Sequence, residues 1–313
     1  MRLHRPCPVC GGRDRFYLVR HPRNGGAPFW KCRRCGYREP HGDETSPALV
    51  PWLTDEDSRL LLRVMAEAAE RLRTDATAQR YLMRRGVDRE TQRRLADMCT
   101  LGALGPGWMS ALIRQERREH LLRGESEHES SHARAGFARL GFSGVTQAPS
   151  IVFGYRLHQR IVAVRGRRLP PHDSSVRYWS HRMMQPTTFF CPDPAIWACQ
   201  TIGVTEGEIK AIVAYRAWKD GVISFPFVSV PGVAAWDDSW LSMLRGRHVV
   251  LAFDADANGA GQEAQHRIAD ILVDSGVRVS HIHLPLAPGQ TKSDLDSYLL
   301  PFLQGTNRQI AGT

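Results

Sequence analysis

The spacing of hydrophobic and polar positions changes along the chain, and each spacing predicts a different kind of element. After residue 53, apolar residues recur three and four positions apart, as on a helix with one buried face; they are Leu60, Leu61, Val64, Met65, Ala68 and Leu72. Thr54 and Asp57, just ahead of this run, have the spacing of a helix-capping pair. A second helix is predicted over 76–85, ending at Gly86.

The second half of the chain alternates short apolar runs with helical patterns. Strand-like runs at 151–153 and 161–164 are separated and followed by Arg-rich turns. Strands are then predicted at 202–205, 222–230, 249–253 and 277–284, and helices between them at 208–218, 237–244 and 261–273. This alternation predicts βαβ units, in which a parallel sheet carries helices on both faces.

Length and composition indicate a globular protein of two or three domains. The chain has 313 residues, of which 42% are hydrophobic and 24% are charged. Its apolar runs are shorter than the ~18 residues that a membrane span needs, and its first residues lack the apolar region of a signal peptide. A membrane-bound or secreted protein is therefore not expected.

The net charge of +10 is unevenly distributed. Residues 1–40 hold ten Lys or Arg against two Asp or Glu, and residues 151–185 hold seven against one. Residues 201–300 reverse the balance, with eight basic and twelve acidic residues. Two basic regions and one acidic region suggest that the former hold a polyanion and the latter holds cations.

Four of the seven cysteines form two C-x-x-C pairs with 21 residues between them. This spacing predicts one zinc ion held by four thiolates in a reducing compartment, with Cys7, Cys10, Cys32 and Cys35 as ligands. The intervening apolar stretches predict hairpin arms, so residues 1–40 are expected to form a zinc ribbon. A purely structural zinc is the default role. A second role, contact with single-stranded DNA, is indicated by nearby cationic and aromatic residues, namely Arg13, Arg15, Phe16, Trp30, Arg33 and Arg34.

Acidic residues follow three of the predicted strands. Glu206 follows the first, Asp254 and Asp256 follow the apolar strand 249–253, and Asp294 and Asp296 follow the last. Because the carboxyl ends of parallel strands open into one crevice, these five carboxylates are expected to meet there. A single D-x-D is most simply a solvated turn, but acids after successive strands favour a Mg²⁺ or Mn²⁺ site that engages phosphates.

The order strand-Glu-Gly-helix, strand-Asp-x-Asp-x-x-Gly, Asp-x-Asp resembles a TOPRIM domain. The preceding segments extend the resemblance to bacterial-type (DnaG-like) DNA primases; they are CPVCGGRDRF, WKCRRC, YLMRRG at 81–86, GRRL at 166–169 and RYWS at 177–180. The resemblance implies an α/β protein in which an N-terminal zinc ribbon, a small β domain, precedes a primase core. Its expected parts are the ribbon (1–40), a linker (41–52), a basic mixed α+β subdomain (53–198) with a flexible insertion at about 123–136, a TOPRIM parallel-sheet subdomain (199–300) and a C-terminal tail (301–313).

The resemblance also implies residue roles. Glu206, Asp254 and Asp256 correspond to the catalytic acids, and with Asp294 and Asp296 they would bind about two Mg²⁺ or Mn²⁺ ions. Arg167, Arg168 and Arg177 fall where the family uses cations to hold template or nucleotide phosphates. The family usually has Asp four residues after the TOPRIM glutamate, whereas this chain has Lys210. Either fewer ions bind, or Lys210 meets a triphosphate.

The expected function is that of a DNA primase, which makes short RNA primers on single-stranded DNA template from nucleoside triphosphates. The family's helicase-binding domain has no counterpart here, so a replicative helicase supplied as a separate chain is a candidate partner. A phage or other mobile element is the expected source, and the cytoplasm of a bacterial or phage-infected cell the expected location. Two alternatives stay open: a TOPRIM-type metal-dependent nuclease and a non-catalytic single-stranded-DNA-binding replication protein.

Overall fold

The computed structural model describes most of the chain beyond residue 52 and four short segments before it. The described residues are 4–5, 16–19, 29–32, 38–40, 53–122, 136–137, 140, 142, 148–157, 160–171, 177–180, 188–232, 235–256, 259–286 and 289–310. The chain divides into two compact units, residues 1–49 and residues 50–313.

The first unit contains a four-stranded antiparallel sheet. Its strands follow chain order and are β1 (His4–Arg5), β2 (Phe16–Val19), β3 (Phe29–Cys32) and β4 (Arg38–Pro40). The central pair β2 and β3 forms the two predicted hairpin arms, with Phe16 opposite Cys32 and Val19 opposite Phe29. This small sheet agrees with the predicted zinc ribbon.

The second unit begins with three helices, α1 (Asp55–Thr74), α2 (Ala76–Arg84) and α3 (Arg89–Asp97). The predicted capping pair is confirmed. The amide of Thr54 donates to Asp57 Oδ2 (3.0 Å), and the amide of Asp57 donates to Thr54 Oγ1 (3.1 Å). Helix α3 was not predicted, and its start is fixed by the side chain of Asp88, which accepts from the Thr91 amide at 2.8 Å.

Helix α1 packs on a second antiparallel sheet. The strands of this sheet are β5 (Leu101–Leu104), β6 (Ser150–Leu157), β7 (Arg160–Arg168) and β8 (Tyr178–Ser180), paired in that order, with α4 (Trp108–Leu122) between β5 and β6. The packing is so close that a Cβ added to Gly102 would lie only 2.5 Å from the Cβ of Ala68. The predicted insertion lies almost wholly outside the described residues.

The parallel sheet predicted after residue 202 is present. Its order is β10-β9-β11-β13, formed by β9 (Thr201–Glu206), β10 (Phe227–Val230), β11 (His248–Ala252) and β13 (Arg278–His281). A short antiparallel ribbon at its edge pairs β12 (Ala255–Asp256) with β14 (Lys292–Ser293). The strand predicted over 222–230 is shorter in the structure, because Pro226 has no N–H to donate and β10 begins only after it.

Helices connect and cover this sheet, namely α5 (Glu208–Lys219), α6 (Leu241–Leu244), α7 (Ala260–Asp274) and α8 (Leu295–Ile310). Of the helix predicted over 237–244, the first part is a 3-10 turn over Asp238–Trp240. Helix α5 is buried on several sides, and even Arg216 is buried there, donating to the carbonyl oxygen of Gly86 at 2.9 Å. This contact ties α2 to the parallel-sheet layer. Among the described residues, no helix combines the length and apolar character needed to cross a bilayer.

Candidate active site

Glu206 is fixed at the carboxyl edge of the parallel sheet by the turn that follows it. Strand β9 ends at Glu206, and Gly207 has φ of +89°, a conformation in which residues with a Cβ are strained. The amide of Gly207 donates to the carbonyl oxygen of Val230 on the neighbouring strand at 2.8 Å. The turn therefore holds Glu206 at the point where the crevice opens.

Asp254 and Asp256 reach the same edge from β11 and β12. Asp254 is 3% exposed. Helix α7 begins so close to it that a Cβ on Gly261 would lie 2.0 Å from the carbonyl oxygen of Asp254. In the short ribbon, Asp256 lies opposite Lys292. Glycine at 261 and the ribbon together set the position of this D-x-D pair.

Two lysines hold the carboxylate of Asp254. Lys210, on the first turn of α5, donates to Oδ1, and Lys292 donates to Oδ2 at 2.7 Å. Lys292 also lies 3.4 Å from Asp256 Oδ1. Lys210 was predicted from the sequence as a site residue, whereas Lys292 was not, because its only sequence signal is a cation two residues before Asp294.

The charges in this crevice are electrostatically coupled. Burial raises the pKa of Glu206, and the neighbouring charge of Asp254 raises it further, while Lys210 and Lys292 act in the opposite direction. Partial burial works against the charge of Lys292, but its hydrogen bond to Asp254 raises its pKa. Glu206, Asp254 and Asp256 thus share one site with two ammonium groups.

Asp294 and Asp296, the last acidic pair, make different contacts. Asp294 caps α8, because its Oδ1 accepts from the Ser297 amide at 3.2 Å. Burial alone would raise the pKa of Asp294, but its hydrogen bonds and the charge of Lys210 lower it, so it borders the crevice as a carboxylate. Asp296 is buried and receives a hydrogen bond from Arg85 Nε at 2.9 Å. The burial of Asp296 raises its pKa in spite of Arg85.

The carboxylates of this site are of the chemical type that binds divalent cations, but in this structure they contact lysine side chains. Carboxylate oxygens are the hard ligands that Mg²⁺ and Mn²⁺ prefer. Within the described part of the chain, however, no three acidic, histidine or cysteine side chains converge as a chelating group. Both oxygens of Asp254 contact ammonium nitrogens instead. The positive charge next to Asp254 is therefore supplied by two of the chain's own lysines.

A buried ion pair connects the antiparallel sheet to this site. Glu208 is fully buried, and its Oε1 accepts from Tyr155 Oη and from Arg165 Nη1, each at 2.6 Å. Arg165 also donates to the carbonyl oxygen of Pro231 at 2.9 Å. These contacts fix the first turn of α5, two residues after Glu206, against β6 and β7. Sequence reasoning missed Arg165 and Tyr155 as site residues, since their partners are distant in the chain.

The predicted basic residues of the core share one cavity. Its volume is about 400 Å³, and it is lined by Tyr81, Arg167, Arg168, Pro170, Pro171 and Arg177. Arg167 donates to Tyr178 Oη at 2.6 Å, which orients its guanidinium. Three guanidinium groups around one cavity suit phosphate oxygens, which arginine binds in a bidentate manner.

The predicted ribbon residues fall partly outside the described segments. Cys32 is buried at the end of β3, Phe16 lies on β2 and Trp30 on β3. The other three zinc ligands (Cys7, Cys10 and Cys35) and the four arginines (Arg13, Arg15, Arg33 and Arg34) lie outside the described residues. Their assignment stays a prediction.

Two protein-family models match this chain, one near its N-terminus and one over the parallel sheet. Residues 2–45 match the family described as the zinc-binding domain of primase-helicase, and residues 203–299 match the Toprim-like family. A search of curated proteins found no match.

Two solved structures share the fold. The zinc-binding and RNA polymerase domains of the Aquifex aeolicus primase match with a TM-score of 0.60 and 16% identity, covering 98% of this chain and 77% of that one. A DNA primase domain from Pseudomonas aeruginosa matches with a TM-score of 0.53 and 19% identity, covering 81% of this chain and 78% of that one. The likeness shows that the predicted fold, a zinc ribbon followed by a core with a TOPRIM sheet, is correct.

Proposed function

We propose that this chain synthesises short RNA primers on single-stranded DNA from nucleoside triphosphates. Its zinc-ribbon and Toprim matches, together with its fold, support a DnaG-like primase. The observation that carries the proposal is the placement of Glu206, Asp254 and Asp256 at one edge of the TOPRIM sheet, where β9 and β11 end side by side. Primer synthesis joins two nucleotides, and a cluster of carboxylates at the carboxyl ends of parallel strands is suited to that phosphoryl chemistry.

Glu206, Asp254 and Asp256 would hold the divalent ions, with Asp294 at the border of the site. Mg²⁺ or Mn²⁺, expected from the sequence to number about two, would neutralise phosphate charge and favour ionisation of the attacking 3′-hydroxyl. The 3′-hydroxyl would lose its proton to solvent, its oxygen would form a bond to the α-phosphorus of the incoming triphosphate, and the bond from that phosphorus to pyrophosphate would break. Asp296, predicted as a further ligand of these ions, is paired with Arg85. It would contribute to the site by holding the start of α8, and with it Asp294, in place.

The chain's cations would hold the polyanionic substrates. Arg167, Arg168 and Arg177 line one cavity and would bind phosphates of the template or of a nucleotide. Lys210 lies at Asp254 and would meet the triphosphate there. The role of the protein is then largely to position reactants and to neutralise charge.

The ribbon would sample the template. One zinc ion held by Cys7, Cys10, Cys32 and Cys35 would stabilise the small sheet, since structural sites of four thiolates leave no position open. Phe16 and Trp30 would stack on bases, and the neighbouring arginines would contact the backbone. A replicative helicase, supplied as a separate chain, would deliver the single-stranded template.

One incubation separates the three candidate activities. The purified chain is mixed with single-stranded DNA, the four ribonucleoside triphosphates and Mg²⁺ or Mn²⁺, and labelled products are resolved on a gel. Short labelled oligoribonucleotides that depend on the template support the primase. Shortened DNA without new RNA indicates a nuclease, and a mobility shift without products indicates a binding protein; either result contradicts the proposal.

A further inference from the structure

Tyr178 connects the cavity lined by arginines to the buried ion pair of α5. It is the first residue of β8, and the register of β7 and β8 places it directly opposite Arg167. Arg165 lies two residues before Arg167 on β7, and alternate residues of a strand point to the same face of its sheet. Arg165, Arg167 and Tyr178 therefore share one face of the antiparallel sheet.

Trp179, the next residue of β8, holds the strand in this register. Its ring packs so close to β7 that a Cβ added to Gly166 would lie 2.0 Å from a ring carbon of Trp179. Its Nε1 also donates to Ser150 Oγ on β6 at 3.0 Å. Trp179 is buried, so it anchors its own face of β8. Because successive side chains of a strand alternate between faces, this anchor directs Tyr178 to the face that carries the arginines.

Two guanidinium groups contact the ring of Tyr178. The guanidinium carbon of Arg165 lies 4.2 Å from the ring centroid and that of Arg167 lies 5.2 Å from it, both within the range of cation–π attraction. Arg167 Nη1 also donates to Tyr178 Oη at 2.6 Å. Arg165 is itself held by Glu208 Oε1 at 2.6 Å and by the carbonyl oxygen of Pro231 at 2.9 Å. Tyr178 thus rests on an arginine that is fixed, and it holds a second arginine on the same strand.

Arg167 is the member of this series that lines the cavity. Its guanidinium carries several N–H donors in one rigid plane, and Tyr178 accepts from only one of its nitrogens. Such a fork binds phosphate oxygens well only when it faces them, so its direction is as important as its charge. An arginine side chain without a partner has many rotamers, and ordering it on binding costs affinity.

We infer that Tyr178 is a positioning residue for phosphate binding, because its hydroxyl and ring set the direction of the Arg167 guanidinium in the cavity. The inference rests on the proposed function, in which Arg167 binds a phosphate of the template or of a nucleotide. It deepens that proposal by naming the residue that orders the cavity before the substrate arrives.

A double-mutant cycle on binding tests this role without any measurement of primer synthesis. The zinc-loaded full chain, without added divalent ions, is titrated with inorganic tripolyphosphate in one arm and with a short oligothymidylate in the other. Tyr178→Phe keeps the ring and removes only the hydroxyl, and it should weaken binding about fivefold in at least one arm. In an Arg167→Met background, the same change should alter the affinity by less than about twofold, because the side chain that Tyr178 positions is absent. The arm that shows the loss identifies the phosphate as that of a nucleotide or of the template.

Two further variants complete the test. Arg167→Lys keeps the charge but not the planar fork, and it should lose about fivefold or more in affinity in the same arm. Circular dichroism shows whether each variant folds, and Arg167→Lys carries the test if Tyr178→Phe does not. The matched control is Tyr298→Phe, which removes the hydroxyl of an exposed tyrosine on α8 and should bind both ligands as the wild-type protein does.

An equal loss from Tyr178→Phe in both backgrounds would reveal a general effect on the fold and would overturn the inference. Wild-type affinity for both ligands in Tyr178→Phe, or in Arg167→Lys, would overturn it as well. Failure of the proposed function is a separate outcome. If the chain makes no primers but the cycle shows the expected dependence on Arg167, the positioning role stands and the primase proposal fails. If it makes primers and the cycle shows no such dependence, the reverse holds.

Discussion

Arg85 Nε donates to Asp296 Oδ2 across 2.9 Å and so joins two residues that are 211 positions apart in the chain. Arg85 follows helix α2 within the YLMRRG segment, and Asp296 belongs to the last acidic pair of the TOPRIM sheet. Asp296 is buried, so its partner is needed to compensate its charge. The pair holds the first turn of α8, and with it Asp294, beside the crevice.

Replacing Arg85 should therefore destabilise the fold. Arg85→Met leaves a buried carboxylate without its cation, and we expect the free energy of unfolding to fall by about 3 kcal/mol. Urea denaturation followed by circular dichroism measures this loss. Arg84→Met, at the exposed neighbouring position, should change stability by less than about 0.5 kcal/mol. Equal effects of the two substitutions would show that the Arg85–Asp296 pair is not important for stability.

A second prediction contrasts a buried ion pair with an exposed one. Arg165→Met leaves the fully buried Glu208 without its cation and should cost about 3 kcal/mol of unfolding free energy. Arg160 pairs with Asp55 at the surface, where both side chains are mostly exposed, and Arg160→Ala should cost no more than about 1 kcal/mol. Chemical denaturation of both variants checks the difference. A larger loss for Arg160→Ala would contradict our account of how the two sheets are joined.

The periodic parts of the fold were predictable from local pattern. The capping pair Thr54–Asp57 and the βαβ alternation after residue 202 are confirmed, because each depends on residues close together in the chain. Helix α3 was missed, since only Leu95 and Ala96 form its buried apolar face, and so was α8, which has Pro301 in its interior. In these two helices, tertiary packing outweighs a weak local signal.

The site was predictable in part for the same reason. Parallel strand ends place Glu206, Asp254 and Asp256 at one edge of the sheet whatever the distant sequence, so periodicity and topology were sufficient to predict that placement. The partners of Asp296 and Glu208 could not be predicted, because Arg85 follows helix α2 and Arg165 lies on β7, both far from these acids in the chain. Lys292 could not be predicted either, because the register of the β12–β14 ribbon brings it to Asp254.

We expect the ionised carboxylate of Glu206 to lower the free energy of unfolding at neutral pH. Its pKa is raised in the folded state, so the folded protein holds this proton more tightly than the unfolded chain does. The carboxyl therefore favours folding below its ordinary pKa, and this contribution is lost as the pH rises through the raised pKa. Glu206→Gln should unfold with equal or higher free energy at pH 7, by up to about 1 kcal/mol, and the gain should vanish near pH 4.

Unfolding curves of Glu206→Gln and the wild-type protein at both pH values, without added divalent ions, measure this difference. The variant should also lose primer synthesis, because Glu206 is proposed to act in the site. A Glu206→Gln protein that is less stable than the wild type at pH 7 would contradict the sign of the shift.

Zinc binding can be tested at the one ligand that the structure describes. Cys32→Ser removes a thiolate of the proposed four-cysteine site, and zinc content measured by mass spectrometry should fall from one ion per chain to well below one. The control is Cys199→Ser, which removes a thiol near β9 and should leave the zinc content unchanged. Binding to single-stranded DNA should weaken only in Cys32→Ser. Full zinc content in that variant would contradict the ligand set.

Primer synthesis by Asp254→Asn tests the central claim most directly. The substitution keeps the shape of the side chain but removes the charge that Lys210, Lys292 and the proposed divalent ion all require. Labelled oligoribonucleotides are measured on a single-stranded DNA template, and binding of the same DNA is measured in parallel. We predict that synthesis falls at least about 100-fold while DNA binding changes less than about twofold, since the proposed template contacts lie elsewhere. Synthesis at the wild-type rate by Asp254→Asn would contradict the assignment of the TOPRIM carboxylates as the catalytic centre.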